Sequence, residues 1–441
     1  MLPRRLASHT VAPSTQLLHA AAFHASARRE RLPLVIAVVG AGLALTTRYV
    51  IRAQERVQRQ RAAAAAPKPS TASVVIGLDL GSINARACGI DLDVIPRKFV
   101  VETERMAVQL RNGELVVGNL VTKNAMANLR EALKASPHSV VADDDDDNTS
   151  FHVDSVLERL TETLHDKVRA SLEKHNEAID EAVPCVCAVP SHFDGVPLDR
   201  LRRILEHAGY HVLDFVPDSV AAVLALPPLA STKPQHVAVF DMGGAETTCS
   251  ILDCTDMTSP SILATKTTST LSGDAINAHV VEYLASTFER KHQINLRTDS
   301  LAMERLVQAA DAAKVELSSG GRSQVHLPFI TADQHGAQHL EQTVTLATLR
   351  RLMDAPLAAG TSLVADALAA SRLTKVDALL LVGGGTKSAV VAERIQKALN
   401  FPTVLHVDAN VDDAVAIGAT KRGIELADII LTHDGDDDHD Q

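Results

Sequence analysis

The chain has 441 residues, 46% of them apolar, which suffices for one large two-lobed domain or two ordinary ones. Its net charge of −11 is uneven: residues 1–73 carry ten Arg and one Lys against two Glu, leaving that stretch at +9 and the remainder at −20. An acidic body argues against nucleic acid as a partner, and the absence of Trp argues against an aromatic binding surface.

Residues 1–31 are Arg-rich with Glu30 as their one acid, the composition of an organelle transit peptide, and Phe23-His24-Ala25-Ser26-Ala27 resembles the end of a mitochondrial one. A basic leader without a targeting role is the alternative. Leu32 to Ile51 is apolar apart from Thr46, Thr47 and Arg48, and as a helix it would be ~24–30 Å long. With Arg48 snorkelling to the interface, residues 32–51 predict one transmembrane helix. That places the protein in a mitochondrial membrane as a single-pass protein, with an endoplasmic reticulum signal-anchor as the alternative. Arginines flank both ends, so the orientation is not readable. Residues 52–73 read as a basic, Ala/Pro-rich linker.

The globular part opens with Val74-Val75-Ile76-Gly77-Leu78-Asp79-Leu80-Gly81-Ser82, an apolar strand, an aspartate and a glycine turn before a second strand. Met106–Leu110 and Leu115–Gly118 predict a hairpin turned at Asn112-Gly113. Asn119 to Ala135 predicts a helix, Asp143–Asp147 a solvated loop of like charges, and Phe151 to Ala178 a long amphipathic helix. Val183–Val189 predicts a buried strand, and Cys185 and Cys187 on one of its faces read as buried thiols rather than a metal pair. The other cysteines, Cys88, Cys249 and Cys254, show no zinc spacing. A helix over Leu198–Ala208 and a strand over His211–Val216 lead into Asp218.

Val237-Ala238-Val239-Phe240-Asp241-Met242-Gly243-Gly244 then repeats the opening plan, with Asp241 and Gly243 matching Asp79 and Gly81. Two copies of one strand–turn–strand unit predict two similar half-domains that face each other across a cleft. Glycine turns let a ligand approach the main chain, and their successive N–H groups suit phosphate oxygens. An aspartate at each strand end suits a hydrated Mg²⁺. Further on, the sequence predicts a strand over Ile262–Thr268 and helices over Leu271–His292 and Ser300–Leu317. A strand over Gln324–Ile330 and one helix over Leu346–Ala370 follow. Val376–Val382 predicts a strand running into Gly383-Gly384-Gly385-Thr386, then a helix to Leu399. Asp412 caps a last helix to about Ala427, and the tail is acidic.

In this order the pieces resemble the nucleotide-binding domain of the heat-shock protein 70 (DnaK-type chaperone) family. Five blocks carry the resemblance: Gly77–Gly81, Ala188–Phe193, Val239–Gly244, Leu380–Thr386 and Asp412–Ala419, with Ala313-Lys314 to Ser318 as a sixth. The resemblance implies an α/β, actin-like ATPase fold: two ribonuclease H-like lobes, 74–230 and 231–427, around a nucleotide cleft, followed by an acidic tail, 428–441. It implies ATP or ADP with Mg²⁺ as ligands, and a co-chaperone or nucleotide-exchange factor as a partner. Asp79 and Asp241 fall on the Mg²⁺-side carboxylates, and Gly81, Ser82, Gly243 and Gly244 on the phosphate hairpins. Asp311, Lys314 and Ser318 fall on the ribose and adenine side. Gly383 and Gly384 fall on the adenosine loop, and Asp412 on a carboxylate beside a cation. Lys134 is the nearest candidate for the family's catalytic lysine.

Several positions depart from the family pattern. Glu246 stands where a phosphate-contacting threonine is expected, Thr248 replaces an aspartate, Asp218 replaces a glutamate near the metal, and Ile83 replaces a threonine in the first hairpin. Val315 and Lys387 stand where two arginines sandwich the base, and lysine stacks less well than a planar guanidinium. Ser272 replaces one of two glycines in another phosphate-side loop, leaving Gly273. Phosphoryl transfer depends on positioning and charge compensation, so these changes predict retained binding and weakened hydrolysis. Asp428-Ile429-Ile430-Leu431 resembles the family's interdomain linker, with no peptide-binding half after it. Two functions follow: a membrane-anchored chaperone-type ATPase in protein folding or import, or a catalytically degenerate, nucleotide-dependent scaffold. A sugar-kinase-like enzyme of the same fold fits the matched blocks less well.

Overall fold

The computed structural model describes residues 74–95, 97–111, 114–121, 140–143, 146–173, 182–228, 234–334, 336–399, 403–407 and 410–433. The expected transit segment, transmembrane helix, linker and tail beyond 433 lie outside these residues, as do Asn112, Gly113 and residues 122–135. Among the described residues no single helix is long and apolar enough to cross a membrane.

The first part runs β1 (Val74–Leu80), β2 (Asn84–Asp91), β3 (Val100–Arg105), β4 (Val108–Arg111), β5 (Glu114–Val117), β6 (Val140–Asp143), β7 (Asp146–His152), α1 (Val153–Glu173), β8 (Val183–Val189), α2 (Val196–His207), β9 (Tyr210–Pro217) and α3 (Asp218–Leu224). The second runs β10 (His236–Met242), β11 (Thr247–Asp253), β12 (Ser261–Thr268), α4 (Gly273–His292), α5 (Ser300–Ser319), β13 (Arg322–Asp333), β14 (Gly336–Thr345), α6 (Leu346–Leu352), α7 (Asp354–Ala370), β15 (Ala378–Val382), α8 (Ala389–Leu399), β16 (Val404–Leu405) and α9 (Ala414–His433).

The duplication read from the two hairpins is present in the topology. One five-stranded sheet has the order β3-β2-β1-β8-β9 and the other β12-β11-β10-β15-β16. In each, the apolar hairpin strand lies at the centre, antiparallel to its hairpin partner and parallel to the strand on its other side. A central strand is covered on both faces, which is why β1 and β10 read as nearly continuous apolar runs. The registers match as well: Asp79 pairs with Arg86, and Asp241 with Thr248.

Helices cover the sheets along apolar stripes. On α1, Val153, Val156, Leu157, Leu160, Leu164, Val168 and Leu172 are buried at helical spacing. Gly89 on β2 leaves room for two of them, since a Cβ there would meet Val168 and Leu172. The last helix follows the second sheet in sequence but packs on the first, against β1, β8 and α3. Small residues permit the close approach: a Cβ on Gly418 would lie 1.7 Å from the carbonyl oxygen of Ala221, and one on Gly77 2.2 Å from the amide nitrogen of Thr420. Thr420 Oγ1 donates to the carbonyl of Cys88 at 2.8 Å, and Lys421 Nζ to those of Ala225 and Leu226 at 3.0 Å. A shared core containing Ala188, Val239, Leu380 and Ala416 joins the two sheets through this helix.

Four expectations need correction. The helix expected over Leu346–Ala370 is two helices bent by 58° at Met353. Pro356 lies in the first turn of α7 and has no N–H to continue the hydrogen bonding of α6, whereas a helix's first turn has no use for that N–H. The acidic run stands partly in a hairpin, with Asp143 ending β6 and Asp146 and Asp147 opening β7, because Val140, Val141, Phe151 and His152 carry the pairing. Consequently α1 begins at Val153 rather than Phe151. Strand β14 gives no clear signal in the sequence, because Gln338, His339, Glu341 and Gln342 dilute its alternation and only Leu340 and Val344 are buried. The last helix continues to His433, so the linker-like Asp428–Leu431 is helical. Cys185 and Cys187 are buried thiols in the apolar core of the first sheet, as expected.

Candidate functional site

The carboxyl ends of β1 and β10 open into one cleft of about 400 Å³. Asp79, Gly81, Ser82, Asp218, Asp241, Gly243, Gly244, Gly273, Asp311, Lys314, Ser318, Gly383, Gly384, Lys387 and Asp412 all line it. Lys134 lies outside the described residues.

The hairpins meet at their tips. Ala245 donates its N–H to Ser82 Oγ at 3.1 Å, and Ile83 lies so close to Gly244 that a Cβ there would fall 2.2 Å from Ile83 Cδ1. Within the second turn the N–H of Gly243 goes to the carbonyl of Glu246 at 3.0 Å. The start of α4 braces this turn from behind: Gly273 and Asp274 donate to the carbonyls of Gly243 and Gly244 at 3.0 and 2.8 Å. Ser272, read as a lost glycine, has a structural task, since its buried hydroxyl caps α4 by accepting from Ala275 N at 3.1 Å. Gly383 holds a left-handed φ of 83°, and a side chain there would collide with Asp241 Oδ1 at 2.4 Å.

Part of the lining of the cleft is apolar. Ile276, Val315, Leu349 and Met353 line it, beside Ser318 and Ser388. Leu349 lies on α6 and Met353 at the break between α6 and α7, so the broken helix contributes to the lining. No sequence motif marks these residues. A break signalled by Pro356 could have pointed to them.

Beyond Glu246 lies a second cavity, of about 20 Å³, room for roughly one water. It shares Asp218, Asp241, Glu246 and Thr248 with the main cleft and adds Pro190, Ser191, His192 and Ser219. The hydroxyl of Ser219 is buried there without a hydrogen-bond partner among the described residues. The small cavity therefore adjoins the cleft at Asp218, Asp241, Glu246 and Thr248, whereas Ile276, Val315, Leu349 and Met353 line the cleft alone.

Charges are paired along its walls. Lys314 Nζ lies 2.9 Å from Asp311 Oδ1, which also accepts from Asn277 Nδ2 at 3.0 Å. Burial alone would raise the Asp311 pKa, but these two donors outweigh it and hold the carboxyl below its usual value. Asp412, expected beside a cation, is met by two of the protein's own: Lys387 Nζ at 2.5 Å and Arg86 Nη2 at 3.6 Å. Arg86 also pairs with Asp413 at 3.3 Å. Burial raises the Asp413 carboxyl, and the Arg86 charge partly offsets this. Neither Arg86 nor Asp413 is assigned a role by the sequence motifs; the register of Asp79 with Arg86 is the signal that could have found the first.

The residues fit a nucleotide with a hydrated cation. Two strand-end carboxylates, glycine turns that exclude side chains, and an apolar part of the lining suit a metal, phosphates and a base. Among the described residues no group of three or more His, Cys, Asp or Glu could hold a metal ion.

Twin sheets, each delivering an aspartate and a glycine turn to a common cleft, make this a mixed α/β fold consistent with the actin-like ATPases. The model of the Hsp70 protein family matches residues 102–429, about three quarters of the chain, and the chain belongs to that family. The match begins after the first hairpin, so the place of Asp79, Gly81 and Ser82 in the cleft rests on the duplicated sheet.

Proposed function

We propose that this is a membrane-anchored, chaperone-like ATP-binding protein acting in protein folding or import, in which nucleotide binding outlasts efficient hydrolysis. The observation that carries the reading is the convergence of both aspartate hairpins, the Gly383 loop and the Lys314 face of α5 on one cleft. Family membership supports nucleotide as the ligand and a co-chaperone or exchange factor as a partner. Asp79 and Asp241 would hold a hydrated Mg²⁺, which would neutralise phosphate charge. The chain's own groups do the rest: the glycine turns admit the phosphates, Lys314 and Asp311 face the ribose side, and Val315, Leu349 and Met353 exclude water from the base. Anchoring through Leu32–Ile51 in a mitochondrial membrane, or in the endoplasmic reticulum, is supported by the composition of the first 51 residues.

Calorimetric titration of the full chain with ATP and with ADP, with and without Mg²⁺, tests the reading. Saturable binding strengthened by Mg²⁺ is expected, and heat from neither nucleotide would refute it.

A second reading, a degenerate nucleotide-dependent scaffold, is favoured by Glu246, which lines the phosphate end with no cation paired to it among the described residues. Steady-state phosphate release separates the two readings. A parent chain that turns over ATP at a rate the Glu246→Thr, Thr248→Asp double variant cannot improve would exclude the scaffold.

A further inference from the structure

We propose that the cleft is selective for a nucleoside diphosphate over a triphosphate, with Ile83 and Glu246 as the residues that set the preference. The proposal rests on the nucleotide reading above and adds the length of the phosphate chain that the site accepts.

A base against Ile276, Leu349 and Met353 directs its phosphates toward the glycine turns, and each further phosphate brings the chain nearer Glu246. Three features there oppose a third one. Ile83 lies across Gly244, so its methyl groups stand at the mouth of the turn, where a phosphate oxygen would lose water without gaining a donor. The N–H of Ala245 is already given to Ser82 Oγ, and that of Gly243 to the Glu246 carbonyl, which removes donors from the nest. Finally, Glu246 lines both the cleft and the small cavity behind it, as Asp218 does, so the space past the turns is bordered by carboxylates. A diphosphate stops short of this region, whereas the terminal group of a triphosphate enters it. Discrimination of this sort works by penalising the wrong ligand, through a like charge and a desolvated oxygen.

Titrating the full chain, in Mg²⁺, with ADP and with a non-hydrolysable β,γ-imido analogue of ATP tests this. ADP is expected to bind roughly tenfold or more tightly than the analogue. In the Ile83→Thr, Glu246→Thr double variant the ratio should fall toward one through tighter binding of the analogue, and circular dichroism reports that the variant is folded. An analogue that binds the parent as tightly as ADP would overturn the proposal while leaving the nucleotide reading intact. So would a double variant that keeps the parent's ratio, or one that loses ADP binding. If the parent binds neither ligand, the nucleotide reading itself fails and takes the proposal with it.

Discussion

Lys387 Nζ lies 2.5 Å from Asp412 Oδ2. The lysine, which the resemblance leads one to expect at a base-stacking position, is turned to the carboxylate. Asp412 also receives Arg86 from the first sheet, so it ties that cation and the lysine of the turn after β15 to the loop before α9. Its other oxygen, Oδ1, is buried without a hydrogen-bond partner among the described residues.

If Asp412 is the hub, losing it should cost more than losing the exposed partner. Asp412→Asn is expected to destabilise the fold by about 1–3 kcal/mol, since the largely buried Arg86 loses one carboxylate partner and keeps Asp413. Lys387→Ala, at the solvent-exposed end, should cost less than about 1 kcal/mol. Urea denaturation ranks the two, and equal costs would contradict the hub.

Closeness of α9 to the first sheet makes two glycines sensitive. Gly418→Ala and Gly77→Ala would each place a methyl group within backbone contact distance of a neighbour that cannot move aside, costing at least about 2 kcal/mol. Gly321→Ala, where a Cβ would meet nothing within 4 Å, serves as the comparison and should be nearly neutral. Thermal unfolding of the three variants measures the contrast.

Restoring the missing polar groups should restore chemistry. In the Glu246→Thr, Thr248→Asp double variant, steady-state ATP turnover is expected to rise roughly tenfold or more, as electrostatic groups aimed at the reacting phosphate are among the largest catalytic contributions. The readout is phosphate release at saturating ATP.

The thiols offer a pH test of the core. Burial pushes Cys88, Cys249 and Cys254 up from 9.0 to about 12 and raises Cys185 as well. Thiolate is the reactive form, so alkylation at pH 8 should be slow in the native protein and fast after denaturation. The unfolded chain releases these protons near pH 9 while the folded one holds them, so the thiols' contribution to stability falls as pH rises above 9. Native-state labelling as fast as that of the denatured chain would contradict the burial.

The sequence by itself determined the parts of this protein that depend on neighbours along the chain. A central strand has both faces covered, so β1 and β10 announce themselves as apolar runs, and glycine after a strand-end aspartate marks a turn that needs no distant partner to be recognised. Two such units also revealed the duplication, and with it the meeting of Asp79 and Asp241 in one cleft. Only the tertiary structure decided what those turns face. The contact of Ile83 with Gly244, the triangle of Arg86, Asp412 and Lys387, and the wall of Ile276, Leu349 and Met353 bring together residues far apart in the chain, through packing that leaves no local period. The return of α9 to the first sheet is of the same kind: its small residues read as an ordinary helix until Gly77 and Ala221 are placed against them.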